Sequence, residues 1–341
     1  MSDELVSLLD ALVQIPAISG HEDAMIRAFA DSLQPRVDEV SVDRLGNVIA
    51  RVGSGEPRIA ILAHMDTVGF LVKSVTPDGM LRVVPVGGVN LKALPGAAVR
   101  AGDRPGMFGV RSQHLSHSGD AAVSSIEDVY IDVGDAQGIE ITTPVYYAPQ
   151  ILRLGENLYS SPFLDNRAGC AVLLELSTRI RKEREGTVYL IGTVHDETTC
   201  AGAHYALQQF ASDAAIFVDG TVSYDTPDTR GRGAADLGGG PVLTSFLYVS
   251  GLNGWHANPK LRAHLKQIAG EEAIPYQQDA VHGLMSDARV VTWLGIPSAM
   301  VGIPMRNKHA PLETIHLDDL AHSVRLLEAF LQRPLPDLSR G

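Results

Sequence analysis

Seven residues carry side chains able to bind a cation or move a proton, and each sits where an apolar run ends. His64 and Asp66 close IAILAHMD, Asp196 and Glu197 close TVYLIGTVHDE, and Asp219 closes AAIFVD. His309 follows SAMVGIPMRNKH, and Asp165 lies in the turn FLDNRAG, just ahead of an apolar helical stretch. Buried strands that end on polar groups build the sites of open α/β sheets at one edge. Carboxylates gathered there repel one another unless a cation compensates them. Two histidines with three carboxylates suit a pair of divalent ions, one carboxylate bridging, and zinc, cobalt and manganese all accept that mixture. Such ions lower the pKa of a shared water and polarise a substrate oxygen, while a carboxylate outside the ligand set acts as general base. Asp66 can accept a hydrogen bond from the ring nitrogen that His64 keeps off the metal. Each signal has a plain structural explanation by itself: a satisfied strand-end histidine, a turn at Asp219-Gly220, a helix cap at Asp165. Their recurrence at equivalent strand ends is what makes metal-dependent hydrolysis the expected chemistry.

The elements that must position these groups alternate. Leu5, Leu8, Leu9, Leu12 and Val13 recur at helical spacing, predicting an amphipathic helix that ends near Pro16. A second helix is predicted over 21–33, with Ser19 as its cap. VDEVSV, NVIARV and RIAILAH read as short strands. TVYLIGTV precedes a helix near 202–210, AAIFVD follows it, and LGIPSAMVGIP precedes a closing helix near 317–332. This alternation predicts an α/β fold, a three-layer catalytic domain with helices on both faces of a central mixed sheet. Between about 71 and 157 the pattern changes. GMLRVVPVGG, AAVRAGD, GMFGVRS, EDVYIDVG and TPVYYAP are short strand-like runs separated by turn residues. They predict a small all-β, barrel-like domain over 72–157 inserted into a catalytic domain formed by 1–71 and 158–341. Residues 230–241 (RGRGAADLGGGP) are glycine-rich and read as a mobile loop lacking any phosphate-binding signature.

Composition sets the bounds. With 45% hydrophobic and 20% charged residues among 341, the chain is an ordinary globular protein. The formal net charge of −12 and the lack of a basic block argue against nucleic acid. No apolar run of membrane-spanning length occurs, so no membrane partner is expected. The acidic N-terminus does not resemble a signal peptide, and two cysteines build no disulfide framework, so the expected location is the cytoplasm.

Taken together, AHMDTVGFLV (63–72), FLDNRAG (163–169), TVHDETTCAGA (193–203), VDGTVSYDTPD (218–228), SDAR (286–289) and MRNKHAPLE (305–313) resemble the tetrahedral-type (TET, FrvX-like) cytosolic aminopeptidases. That family includes the glutamyl aminopeptidases and belongs to the co-catalytic metallopeptidases. The resemblance covers nearly the whole chain. It implies His64 and Asp219 on one metal, Glu197 and His309 on the other, and Asp165 bridging them. It implies Asp66 as the partner of His64, Asp196 in the position of the general base, and a homo-oligomer with contacts through the inserted domain. The inserted stretch is short, so no particular oligomer size is carried over.

One departure stands out. The family usually has Glu-Glu-Val-Gly where this chain has Asp196-Glu197-Thr198-Thr199. Asp196 draws its carboxylate back by about 1.5 Å, one C–C bond. A misplacement of about 1 Å can cost on the order of a hundredfold in rate. Harmless drift and a changed substrate both explain it. Thr198 and Thr199 add hydroxyls near the metals, Arg289 could pair with a substrate carboxylate, and Asp287 lies beside it. His114 and His117, in the inserted domain, could reach a neighbouring subunit or simply lie on the surface. Trp255 could line a pocket, and Cys200 reads as a small buried residue. Two activities compete: an aminopeptidase acting on short peptides, and an aminohydrolase or amidohydrolase releasing ammonia from a small substrate such as an activated aromatic amine. A catalytically weak scaffold is a third reading, disfavoured because unmetallated buried carboxylates are costly to retain.

Overall fold

The structure is a computed structural model that describes residues 3–115, 123–181, 185–251 and 253–339. His117 lies outside the described residues. An eight-stranded mixed sheet forms the middle layer. Its longest strand, Val48–His64, folds into two arms that flank strand Glu185–Thr193. Residues 58–64 run parallel to that strand. Residues 48–53 pair along its other edge in the opposite sense, Val188 facing Val52 and Gly192 facing Val48. The two runs NVIARV and RIAILAH are therefore one bent element. Strand Ala214–Val222 continues the sheet parallel to residues 58–64, and Ser298–Met305 lies parallel to it in turn. The chain thus sends four neighbouring strands to the same edge, where His64, Thr193, Asp219 and Met305 fall.

Burial explains the layering. Along the central strand Ile59, Ile61 and Ala63 join one apolar cluster, while Ala60 and Leu62 join another on the opposite face. Ile216 and Val218 alternate with Ala215 and Phe217 in the same way. The period of two sends alternate side chains to opposite faces, so a strand apolar throughout must be covered twice. Helices Asp3–Leu12, Asp23–Leu33, Leu164–Ser177 and Leu317–Leu331 cover the first face. Helix Ala201–Gln208 covers the second. A helix that the sequence reading passed over, Pro259–Glu271, also packs on the first face. Its start is conventional: Asn258 accepts from the amides of Lys260 and Leu261, and proline stands at the first helical position. Ser19 caps nothing. The second helix begins at Asp23, and Ser19 Oγ donates to Asp66 instead.

The inserted segment closes into a barrel in the order Gly69–Val75, Leu81–Val86, Tyr130–Asp132, Arg104–Gly109, Ala98–Ala101, Pro144–Tyr147. Phe70 meets Phe108 and Tyr147 edge-on at its centre, at 4.9 and 5.9 Å between ring centroids. Phe163, from just before Asp165, packs into the same core and ties the barrel to the site. The glycine-rich segment is not the free loop expected. Gly238 and Gly240 donate to the buried carboxylate of Asp319 at 2.8 and 2.7 Å, and Ala235 is fully buried.

Arg167 is the main surprise in the core. It is fully buried, and its guanidinium donates to the carbonyls of Leu12, Ile15 and Met65 at 3.2, 2.8 and 2.5 Å. It thereby pins the end of the first helix to the loop after His64. Arg167→Met is expected to strip the carbonyls of Ile15 and Met65 of this donor, while Leu12 O keeps the Ile15 amide, and to lower stability by about 3 kcal/mol. Urea unfolding checks this; an unchanged midpoint would show that water replaces the guanidinium.

Candidate metal centre

All seven sequence-derived residues converge at the carboxyl edge of the sheet. His64 is buried, and its Nε2 lies 3.3 Å from Asp219 Oδ1 and 3.4 Å from Asp165 Oδ1. His309 Nε2 lies 3.1 Å from Asp165 Oδ2 and 3.5 Å from Glu197 Oε1. The two oxygens of Asp165 therefore face two different histidines. Ligands about 2.1 Å from a tetrahedral ion stand about 3.4 Å from one another, and all four separations fall near that edge length.

The segments that carry these side chains are held by backbone contacts. Asp165 does not cap its helix; Phe163 occupies the cap position and the backbone leaves helical geometry at Asp165 and Asn166. That departure turns the carboxylate toward the site. Asn166 compensates, donating to Val218 O at 2.8 Å and accepting from Gly169 N at 2.9 Å. His309 takes a left-handed backbone, φ 64°, uncommon for a residue with a Cβ. One buried carboxylate secures both residues: Glu313 accepts from His309 N at 2.7 Å and from Asp165 N at 2.8 Å. On the outer side His309 Nδ1 contacts the carbonyl of Gly88, from the barrel. Gly87 there has φ 78°, and a side chain would come within 3.3 Å of Glu197 backbone oxygen. Glu313, Gly87 and Gly88 were given no role in the sequence reading. Glu313 stands four residues past His309, in the motif already singled out. The two glycines carried no signal beyond the pair itself.

Asp66 acts differently from the sequence expectation. Its carboxylate accepts from Ser19 Oγ and from the amides of Asp196 and Glu197, at 3.0 and 3.1 Å. It thus fixes the loop that presents both acids. His64 Nδ1 finds the Asp66 backbone carbonyl at 3.0 Å, whereas the carboxylate is 3.6 Å away, too long for a hydrogen bond.

The proposed substrate contacts divide. Thr198 and Thr199 are exposed beside the site, but Thr199 Oγ1 accepts from Ala201 N at 3.2 Å, at the start of the following helix. Arg289 donates to Thr199 O at 2.7 Å, so it braces that turn. Asp287 is buried and takes the Thr193 hydroxyl at 2.5 Å; it faces Asp196 and Cys200. Trp255 is a core residue whose Nε1 donates to Ser298 Oγ at 2.9 Å. Cys200 is buried, with its Sγ 3.6 Å from Asp196 O.

The electrostatics ask for a cation. Burial, with Asp287, Asp219 and Asp66 close by, pushes Asp196 well above the carboxylate range, and burial does the same to Glu197. Burial pushes His64 down, yet the surrounding carboxylates of Asp196, Asp219 and Asp66 outweigh it and hold the ring well above its usual value. Asp165 Oδ1 and Glu197 Oε1 are buried and accept no hydrogen bond. Buried acceptors without donors are rare and expensive. A divalent ion against each would satisfy both, so these residues fit the metal that the sequence predicts.

The fold and site define a metal-dependent hydrolase with an inserted barrel. Residues 46–326 match the family model of M42 glutamyl aminopeptidases. The chain is 36% identical to SgcX of Escherichia coli over 351 residues, covering 96% of this chain and 94% of that protein. It is 30% identical to the lysyl aminopeptidase of Pyrococcus furiosus over 346 residues, covering 96% and 97%. The TET1 peptidase of Pyrococcus horikoshii, which can assemble into a tetrahedron or a large octahedral shell, superposes with a TM-score of 0.85 at 27% identity, covering 96% and 99%. The chain belongs to the M42 glutamyl aminopeptidase family. It is a hydrolase of the aminopeptidase type, and the family implies divalent metal ions. The comparisons support peptide bonds over the aromatic amine as the bond class cleaved.

Proposed function

We propose that this protein removes N-terminal residues from short peptides, with His64 and Asp219 on one ion, His309 and Glu197 on the other, and Asp165 shared. The observation that carries this is the split of the Asp165 carboxylate between two histidines at 3.4 and 3.1 Å. When bound, a divalent pair supplies a water of lowered pKa and polarisation of the scissile carbonyl. Zinc, cobalt and manganese fit the mixed nitrogen and oxygen donors. Asp196 holds its carboxylate 3.7 Å from His64 Nε2, at the rim of the ligand set. It takes the proton from the attacking water at Oδ2 and returns it to the leaving amine. Asp66 keeps Asp196 and Glu197 in place through their amides. Thr198 and Thr199, exposed at the cleft, can line the path of the peptide.

We further propose that residues 72–157 form a unit of their own and that the barrel contributes contacts in a homo-oligomer, as an assembling relative of this length suggests. No helix among the described residues is long and apolar enough to cross a membrane.

Exhaustive chelation followed by stepwise return of Zn2+, Co2+ or Mn2+ tests the assignment on a panel of aminoacyl-p-nitroanilides. Loss of turnover on chelation and recovery with metal is expected. Full activity of the chelated protein would sink the metal reading. Turnover of an activated aromatic amine with none on any anilide would return the aminohydrolase. Light scattering of the same preparation reads the assembly; a monomer would count against the oligomer.

A further inference from the structure

Lys308 reaches into the site from the residue before His309. Its side chain is only 11% exposed, and its ammonium contacts Asp165 Oδ2. His309 Nε2 approaches that same oxygen at 3.1 Å. One carboxylate oxygen thus serves both the second ligand pocket and a fixed positive charge. This goes beyond the ligand assignment above and rests on it.

We propose that Lys308 stands in for part of the second cation's charge, so that the chain holds one divalent ion tightly, at His64, Asp219 and Asp165, and loads the His309–Glu197 pocket only weakly. The shared oxygen argues for this. An ion between His309 and Glu197 would meet the Lys308 ammonium at the same Asp165 oxygen. Two cations sharing a carboxylate oxygen repel. At the effective dielectric of a protein site, like charges about 4 Å apart shift an affinity by more than tenfold. Among the described residues no lysine or arginine pairs at the first pocket in this way: His64 Nε2 lies against carboxylate oxygens of Asp165, Asp196 and Asp219. Lys308 is therefore a positioning residue for metal occupancy.

The test is metal content of the intact native protein. Wild type, Lys308→Met and Lys308→Arg are loaded with Zn2+, passed over a desalting column and measured by elemental analysis. Titration calorimetry with Zn2+ accompanies each. Wild type and Lys308→Arg are expected to retain one equivalent per chain. Lys308→Met is expected to retain two, its second affinity tightened by roughly tenfold or more. Should Lys308→Met fail to fold, Lys308→Gln removes the charge while keeping a polar chain and is read in the same way. Two tight equivalents in wild type, unchanged by removing the charge, would overturn the inference and leave the ligand set standing. No retained zinc in any of the proteins would overturn both.

Discussion

Asp165→Ala is expected to abolish turnover and to release bound metal in the same variant. The reason is geometric. Asp165 pairs with both histidines, Oδ1 at 3.4 Å from His64 and Oδ2 at 3.1 Å from His309. Removing even an outer hydrogen-bonding partner of a metal ligand costs roughly ten- to a hundredfold in affinity, so loss of the shared carboxylate should exceed a hundredfold. The fold should survive, because the amide of Asp165, bound to Glu313, remains. Asp165→Asn provides the control: it keeps the shape and loses the charge, and it too should lose metal. The measurements are zinc content after desalting and anilide turnover at saturating added metal. Retention of as much zinc by Asp165→Ala as by wild type would show that the remaining side chains hold metal without it.

Asp196→Ala is expected to lose turnover while keeping its metal. A positioned general base contributes about 10²–10⁴-fold, so kcat should fall within that range. The base assignment and a ligand assignment part here. Asp196 Oδ2 lies 3.7 Å from His64 Nε2, farther than Asp165 or Asp219, yet still within reach of the same pocket. If Asp196 is a ligand, zinc content drops along with kcat and the proposed role fails. Asp196→Glu returns a carboxylate on a chain longer by about 1.5 Å and should recover part of the rate. Asp196→Asn, which cannot accept a proton as a carboxylate does, should not. Burial pushes Asp196 well above the ordinary carboxylate range, and a bound divalent ion would pull it back. For that reason the readout is kcat and metal content at one pH.

What could be read along the chain and what could not follow from the reach of each interaction. A buried strand announces itself locally, through runs such as IAILAH and AAIFVD. The residue at its end is therefore visible too, and His64, Asp196, Glu197, Asp219 and His309 were all found that way. The barrel was legible as a change of rhythm between 71 and 157. Helix 259–271 was missed although Asn258-Pro259 and the spacing of Leu261, Leu265 and Ile268 were present, because its polar face dilutes the periodicity.

The sequence by itself determined which residues would meet at the carboxyl edge of the sheet, since parallel strands carry their ends to one side whatever the loops do. Only the tertiary structure decided how those residues are held. Glu313 is bound to an amide 148 positions away, Arg167 to a carbonyl 155 positions away, and Gly88 to a ring 221 positions away. Asp66 turned out to brace the loop of the base with its carboxylate and to orient His64 with its carbonyl. Such contacts join side chains to backbone groups, and every residue offers the same amide and carbonyl. Partner choice is then settled by packing in three dimensions, and no pattern of residue types records it.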